Sequence, residues 1–197
     1  MLTDVLHRVA ARPRVYDALQ AVAGVAEVNR RVARRLAELP PVERLVDIGG
    51  GTGLAPELWP VGAAYICLDN DPLKLKGFRA KHSSGTPLIG DATRVPLLSH
   101  SIDLVVCKAV SHHIDDRALP LLFSESARLL RHGGRLVFLD AILDPDRLRS
   151  RVLWRYDRGS YARPAEVIRS AMAAEFEIEH WEEFAIHHRY VLAVGSR

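Results

Sequence analysis

Short apolar runs alternate with longer amphipathic stretches along most of the chain. The apolar runs lie at 44–48, 63–68, 87–90, 102–107 and 135–140, and helical spacing of apolar positions covers 54–59, 72–82, 116–131 and 164–174. Runs this apolar suit strands that are buried on both faces, and the alternation of strand and helix is typical of a parallel sheet. The pattern therefore predicts an α/β domain with helices on both faces of the sheet.

The two ends of the chain follow different patterns. Within residues 1–40, apolar positions recur every three to four residues, which predicts helices that end before Pro40. The runs 176–181 and 188–195 resemble strands, and because their connection is too short for a helix they should pair antiparallel. We predict one domain, divided into an N-terminal helical cap (1–40), a core (41–140), a covering segment with a helix (141–174) and a C-terminal hairpin (175–197).

Composition narrows the classes of protein that fit. Apolar residues make up 48% of the chain and charged residues 26%, the balance of a folded domain. A net charge of +3 is small for a nucleic-acid-binding domain. No apolar stretch is long enough to span a membrane, and Cys67 and Cys107 lie inside apolar runs, as expected of buried thiols. We therefore expect a cytoplasmic protein with no nucleic-acid partner and no membrane insertion.

The most informative motif is a glycine loop. Asp47 lies near the end of the first predicted strand, and Gly49, Gly50, Gly51 and Gly53 follow it. The Gly-Lys-Ser/Thr ending of a phosphate-binding loop is absent, and the Gly-x-Gly-x-x-Gly spacing of dinucleotide-binding enzymes fails. The spacing is Asp-x-Gly-x-Gly-x-Gly. Such a loop lets the backbone approach a ligand closely, next to a helix that we predict to begin at residue 54.

Polar residues also follow the other predicted strands. Asp69 and Asn70 close the second strand, Asp91 and Ala92 follow the third, His112 and His113 follow the fourth, and Asp140 closes the fifth. Asp71 precedes Pro72 and is predicted to cap the next helix. Because the carboxyl ends of parallel strands share one edge of a sheet, the strand-end residues should surround one site.

These motifs, together with Ile102-Asp103 in the fourth strand and Gly133-Gly134 before the fifth, resemble those of class I S-adenosylmethionine-dependent methyltransferases. The resemblance covers about residues 41–195 and is greatest to the small-molecule branch related to the ubiquinone and menaquinone methyltransferases. It implies a Rossmann-like seven-stranded sheet of order 3-2-1-4-5-7-6 with strand seven antiparallel, and an N-terminal helical lid. It also implies S-adenosylmethionine as cofactor and S-adenosylhomocysteine as product.

The resemblance also implies roles for individual residues. The loop residues Asp47, Gly49, Gly50, Gly51 and Gly53 would lie against the cofactor. Asp69 would accept hydrogen bonds from the ribose hydroxyls, with Asn70 beside it, and Asp91 and Ala92 would contact the adenine. Lys108 stands where a small or neutral residue is usual. It would either pair with the methionine carboxylate or extend out of the sheet.

Methyl transfer depends mainly on positioning the acceptor, and a general base helps when the acceptor is a hydroxyl or an acidic carbon. One of His112 and His113 is the expected base, and the other packs or caps. The expected acceptor contacts are Asp140, Arg158, Tyr161 and His188, two of which lie in an arginine- and aromatic-rich segment that suits a planar or acidic molecule. The sequence shows no cluster of acids typical of a magnesium site.

We therefore expect O- or C-methylation of a small-molecule acceptor. Nucleic acid is disfavoured as a substrate because Lys108-Ala109-Val110-Ser111 stands where amino-methylating nucleic-acid enzymes have an Asn/Asp-Pro-Pro-Tyr type motif. Two alternatives stay open. One is a cofactor-binding protein of the same fold without catalysis, and the other is a nicotinamide-dependent oxidoreductase, against which the glycine spacing argues. A homodimer is possible.

Overall fold

A computed structural model describes residues 24–55, 58–144, 154, 161–186 and 188–197. The described helices include α1 (Val25–Ala37), α2 (Pro72–Lys81), α3 (Ala118–Leu129) and α4 (Ala165–Ala173), with a short 3-10 helix at Ser111–His113. The strands are β1 (Arg44–Ile48), β2 (Ala64–Asp69), β3 (Thr86–Ile89), β4 (Ile102–Lys108), β5 (Leu130–Ile142), β6 (Glu177–Ala185) and β7 (Arg189–Ser196).

The seven strands form one sheet in the order β3-β2-β1-β4-β5-β7-β6. The pairs among β1 to β5 are parallel, and β7 is antiparallel to both β5 and β6. The predicted order and the predicted antiparallel strand are both confirmed. Because β2 and β4 pair with opposite edges of β1, the strand order reverses there, and a ligand crevice is expected at the carboxyl ends of β1 and β4.

Apolar cores cover both faces of the sheet. Val46 and Phe138 belong to a core that is completed by residues of α3 and α4. Leu45 and Leu104 belong to a second core, which residues of α1 and α2 complete. Neighbouring strand residues enter different cores because successive side chains of a strand point to opposite faces. This two-sided burial explains the continuous apolar runs in the sequence, which include the buried thiols of Cys67 and Cys107.

The predicted helix at 54–59 is wrong for the residues that the structure describes in that segment. Leu54 and Ala55 are not helical, and Leu58 lies in a 3-10 turn in which its N–H donates to the Ala55 carbonyl at 2.8 Å. Pro60 gives the physical reason, because the residue before a proline disfavours helical geometry and β2 begins only four residues later. The glycine loop therefore has to be supported by something other than a regular helix.

Helix α1 packs against β6, which forms one edge of the sheet. Helix α1 confirms a helix that ends before Pro40, and its Arg31 pairs with Glu182 of β6 and places its guanidinium 4.5 Å from the Phe184 ring. The C-terminal antiparallel pair is also confirmed. Residues 1–23 and nearly all of 145–160, which belong to the expected lid, lie outside the described residues. No helix in the described parts of the chain is long and apolar enough to cross a membrane.

Candidate active site

A cleft of about 640 Å³ opens at the carboxyl ends of β1 to β4. Its volume is ordinary for a small-molecule site, roughly 300–1,000 Å³. The lining includes seven residues predicted from the sequence, namely Gly49, Asp69, Asn70, Asp91, Ala92, His113 and Tyr161. The other lining residues are Leu68, Lys74, Gly90, Thr93, Ala109, Val110, Ile114, Asp115 and Ala118. The predicted strand ends thus meet at one site.

The glycine loop is held by hydrogen bonds from its own backbone. The Gly50 N–H donates to the Leu68 carbonyl at 2.9 Å, and the Gly51 N–H donates to Asp69 Oδ2 at 2.9 Å. Gly49 and Gly51 have φ angles of +70° and +59°, which side chains rarely tolerate. Of the four predicted loop glycines, Gly49 lines the cleft, whereas Gly50, Gly51 and Gly53 do not.

Asp69 is buried at the floor of the cleft. Its Oδ1 accepts from the Asp71 N–H at 2.8 Å, and its Oδ2 accepts from Gly51 and lies 3.5 Å from Lys74 Nζ. A carboxylate can accept about four hydrogen bonds, so acceptor sites remain for a ligand. The neighbouring Asp71 caps α2 as predicted, because its Oδ1 accepts from the Leu73 N–H at 2.8 Å.

Asp47 lies beneath the glycine loop and not on the cleft surface. Its side chain is 1% exposed, and Oδ2 accepts from the Tyr65 hydroxyl at 2.6 Å. Burial raises the pKa of Asp47 from the usual 3.8 to about 7, although the Tyr65 hydrogen bond and the charge of Lys108 act in the opposite direction. A side chain at position 50 would overlap the Asp47 carboxylate, which explains Gly50.

An aromatic cluster supports the loop where a helix was expected. Trp59 stacks on Tyr65 with ring centroids 4.2 Å apart, and Tyr65 stacks on Phe78 at 5.8 Å. The Tyr65 hydroxyl, which donates to Asp47, also accepts from the Leu54 N–H at 3.0 Å. Sequence reasoning missed this cluster, because its members come from three separate elements and their spacing does not indicate a common contact.

Asp91 and Ala92 line the cleft at the end of β3. Asp91 is exposed, and its Oδ1 accepts from both the N–H and the hydroxyl of Thr93 at 2.7 Å. These hydrogen bonds lower the pKa of Asp91, since they favour the ionised carboxylate. The residue therefore forms a local turn and still has an oxygen that can accept from a ligand.

The end of β4 has an unusual backbone. Ala109 has a φ angle of +58°, and its N–H donates to the Leu139 carbonyl at 2.8 Å. Such a left-handed conformation is uncommon for a residue other than glycine, and strained residues of this kind cluster at functional sites. The preceding Lys108 is not among the residues that line the cleft, and its Nζ donates to Asn29 of α1 at 2.7 Å. Nothing in the sequence signals the left-handed Ala109 or identifies Asn29 as the partner of Lys108.

His112 and Asp140 form a buried pair. Asp140 is fully buried, and its Oδ1 lies 2.5 Å from His112 Nδ1. Its Oδ2 accepts from the Ser111 N–H and hydroxyl, each at 2.6 Å. Burial alone would raise the pKa of Asp140, but the hydrogen bonds from His112 and Ser111 outweigh it and lower the pKa. An ionised carboxylate only accepts, so Nδ1 carries the proton in this pair, and in the neutral form of the ring Nε2 would be the basic nitrogen.

The predicted catalytic and acceptor residues fall into two groups. His113 and Tyr161 line the cleft, whereas His112, Asp140 and His188 are buried and do not. Trp154 lies near the second group, with its ring 5.8 Å from His112 and 5.1 Å from His188. Asp140 therefore orients a histidine here and has no surface on the cleft.

Arg158 lies outside the described residues. Within the residues that the structure describes, no group of three or more His, Cys, Asp or Glu is placed to hold a metal ion.

The fold and the strand-end residues together define the class I methyltransferase architecture. Residues 46–138 match the family described as "Methyltransferase domain", which confirms the resemblance seen in the sequence. The matched segment covers a little under half of the 197-residue chain. The sheet order found here agrees with the one that the resemblance implied.

The curated relatives that the chain matches are also named as methyltransferases. An uncharacterized methyltransferase of Mycobacterium tuberculosis is 38% identical over 95 residues, which cover 47% of this chain and 37% of that protein. A demethylmenaquinone methyltransferase of Mycolicibacterium vanbaalenii is 28% identical over 146 residues, covering 73% of this chain and 62% of the relative. The chain thus spans less than two thirds of both curated relatives.

A solved structure extends the likeness to the fold. It is a geranyl diphosphate methyltransferase in complex with SAM, with a TM-score of 0.71 and 15% identity. The match covers 87% of this chain and 84% of that one. At this identity the similarity concerns the fold alone.

Proposed function

We propose that the protein transfers a methyl group from S-adenosylmethionine to oxygen or carbon of a small-molecule acceptor. The observation that carries the proposal is the cleft in which Gly49, Asp69 and Asp91 meet at the ends of three parallel strands. The methyltransferase family match and the cofactor bound to the structural neighbour support it. In this proposal residues 41–140 form the cofactor-binding core, and residues 1–40 and 141–174 cover the acceptor.

The cleft residues suit this cofactor chemically. The remaining acceptor sites of Asp69 would receive the two ribose hydroxyls, and the second oxygen of Asp91 would receive the adenine amine. The backbone of Ala92 would contact the adenine ring, and Asn70 would lie beside the ribose. Lys108 does not line the cleft, and it would pair with the methionine carboxylate only by giving up its hydrogen bond to Asn29. When bound, the cofactor supplies a methyl group that is already activated by its sulfonium.

His112 is oriented by a buried carboxylate, and it is the proposed general base although it is buried and does not line the cleft. Its Nδ1 is engaged with Asp140, so Nε2 is the atom that would take a proton from an acceptor hydroxyl or acidic carbon. The resulting imidazolium would be stabilised by the ionised Asp140, as a carboxylate does in other acid–base pairs. His113 would instead contact the cofactor from the cleft wall. His188 and Trp154 would offer aromatic surface to a planar acceptor.

The proposal includes a small-molecule partner and a cytoplasmic location. The modest net charge of +3 supports a small acceptor over a nucleic acid. The segment with Arg158 and Tyr161 would add cationic and aromatic contacts.

Titration calorimetry with S-adenosylhomocysteine tests the cofactor assignment. We expect one site per chain, and Asp69→Ala should weaken binding by about 1.5–3 kcal/mol, because a charge-assisted acceptor for two hydroxyls is lost. Asp71→Ala is the matched control. It removes the adjacent helix cap and costs about 1 kcal/mol of stability, but should leave the affinity nearly unchanged. The absence of heat at millimolar ligand with folded wild-type protein would overturn the proposal.

A further inference from the structure

Arg163 is a buried cation that sequence reasoning did not assign to the site. Its side chain is 5% exposed and lies between the end of β4 and the start of α4. Nη1 donates to the Ser111 carbonyl at 2.6 Å, Nη2 donates to the Ile114 carbonyl at 2.6 Å, and Nε donates to Asp116 Oδ1 at 2.8 Å. Asp116 is 85% exposed, so the backbone carbonyls are the buried partners.

The two carbonyls bracket the 3-10 helix Ser111–His113 that carries both histidines. Asp140 binds the same short helix through its N–H groups and the Ser111 hydroxyl. The helix is therefore fixed by a buried guanidinium at its carbonyl groups and by a buried carboxylate at its N–H groups. Three different nitrogens of the planar guanidinium bind the two carbonyls and the carboxylate, a spacing that the single ammonium nitrogen of lysine does not reproduce although it also has three donors.

The segment 161–163, which ends at Arg163, also reaches the cofactor cleft. The Tyr161 N–H donates to the His112 carbonyl at 3.1 Å, and the Arg163 guanidinium lies 5.6 Å from the Tyr161 ring. Tyr161 lines the cleft with Asp91, although the sequence suggested that it contacts the acceptor. In addition, the Leu143 N–H donates to the Arg163 carbonyl at 2.8 Å, which attaches the segment to the end of β5.

Carbonyl binding by a partly buried arginine is not by itself a sign of function. Arg128 donates to the carbonyls of Val95 and Leu97 and pairs with Glu125, residues that do not themselves line the cleft. Arg163 differs in position, because its three-residue segment touches both the cleft wall and the helix that bears His112. A buried charge is costly unless it is fully hydrogen-bonded, which explains why Arg163 has a partner for each of its three nitrogens. Its loss would release the cleft wall and the helix that bears His112 together.

We propose that Arg163 is a positioning residue that fixes the His112–Asp140 pair relative to the cofactor cleft, and that Tyr161 transmits cleft occupancy to the same helix. The second half rests on the proposed function, since it assumes that the cleft binds the cofactor. The first half concerns His112 alone. The two halves therefore call for two measurements, of which only one uses a ligand.

The first measurement is the ring ¹⁵N spectrum of His112 at pH 8 without ligand, assigned with His112→Gln. Wild-type protein should show the Nδ1–H form, whereas Arg163→Ala should show a mixture of the two tautomers because the helix no longer holds Nδ1 against Asp140. Arg163→Lys keeps the charge without the fork and should also show the mixture. Arg128→Ala is the control, and it should retain the Nδ1–H form although it also loses carbonyl and carboxylate contacts.

The second measurement is S-adenosylhomocysteine affinity. Arg163→Ala and Tyr161→Ala should each weaken binding roughly tenfold, within the range of coupling between sites, and Arg128→Ala should not.

A pure Nδ1–H form in both Arg163 variants would overturn the positioning role. Wild-type affinity in Tyr161→Ala would overturn the coupling to the cleft. If Arg163→Ala does not fold, Arg163→Lys decides in its place. No binding to wild-type protein would refute the proposed function and the coupling, while the ligand-free spectrum would still decide the positioning role.

Discussion

Asp47→Asn should stabilise the protein, and increasingly so as the pH rises. Asp47 is 1% exposed, and burial raises its pKa from 3.8 to about 7. Asparagine has nearly the same shape, and its carbonyl oxygen can still accept from the Tyr65 hydroxyl, which donates at 2.6 Å in the wild type. The substitution therefore removes the ionisation while keeping the hydrogen bond that supports the glycine loop.

The size of the expected stabilisation follows from the raised pKa of Asp47. The unfolded carboxyl ionises near 3.8 and the folded one near 7, a difference of about three pKa units. Each unit corresponds to 1.36 kcal/mol, so the cost of ionising Asp47 is about 4 kcal/mol as an upper bound. Because the folded pKa is raised, this contribution to stability is fully present below pH 3.8 and is lost as the pH rises towards 7. The advantage of the variant should grow over that range and level off above it.

Urea unfolding of ligand-free protein between pH 5 and 8.5 measures this difference. The quantity compared is the free energy of unfolding of Asp47→Asn minus that of the wild type, at each pH. Asp91→Asn is a control of opposite sign, because hydrogen bonds from Thr93 lower the pKa of that exposed carboxyl. A difference for Asp47→Asn that is flat, or that falls with rising pH, would show that Tyr65 and Lys108 outweigh burial and would refute the reasoning.

The strands could be predicted because two-sided burial leaves a local signal. β1 coincides with its predicted run at 44–48, and β4 extends the run 102–107 by one residue. β5 begins five residues before its predicted run, at Leu130, which pairs with Ile102, and residues 131–134 of the strand carry no apolar pattern that would predict this start. Pairing partners outside the apolar run therefore determine that strand end.

The helix predicted at 54–59 shows where local reasoning fails. The signals were a glycine loop after a buried strand and the helical spacing of apolar positions that follows it. Pro60 prevents the helix from growing, and stacking of Trp59 on Tyr65 stabilises the segment instead. That stacking is a tertiary contact between β2 and the preceding connection, so no local period reveals it.

The candidate site also contains residues that could be placed from the sequence and residues that could not. Asp69 and Asp91 could be placed at the cleft because strand ends in a parallel sheet meet at one edge. The His112–Asp140 pair could not, since it depends on the register in which Lys108 of β4 lies opposite Leu139 of β5. Only with that register does the residue after Leu139 reach the helix after β4. Arg163 depends further on the route of the chain back to α4.

Two further predictions concern catalysis and the support of the glycine loop. His112→Gln should lower turnover on the true acceptor roughly a hundred- to ten-thousandfold with little change in S-adenosylhomocysteine affinity, whereas His113→Gln should retain the turnover; near-normal turnover in His112→Gln would show that positioning alone suffices. Tyr65→Phe should lower the free energy of unfolding by about 1–3 kcal/mol, because the hydroxyl both donates to Asp47 and accepts from the buried Leu54 N–H. The hydrogen bond from Tyr65 is also one of the interactions that lower the pKa of Asp47. Its loss should therefore move the pH range over which stability falls to higher pH. Urea unfolding across the same pH series measures both effects, and an unchanged free energy of unfolding or a shift to lower pH would contradict the assigned role of the hydroxyl.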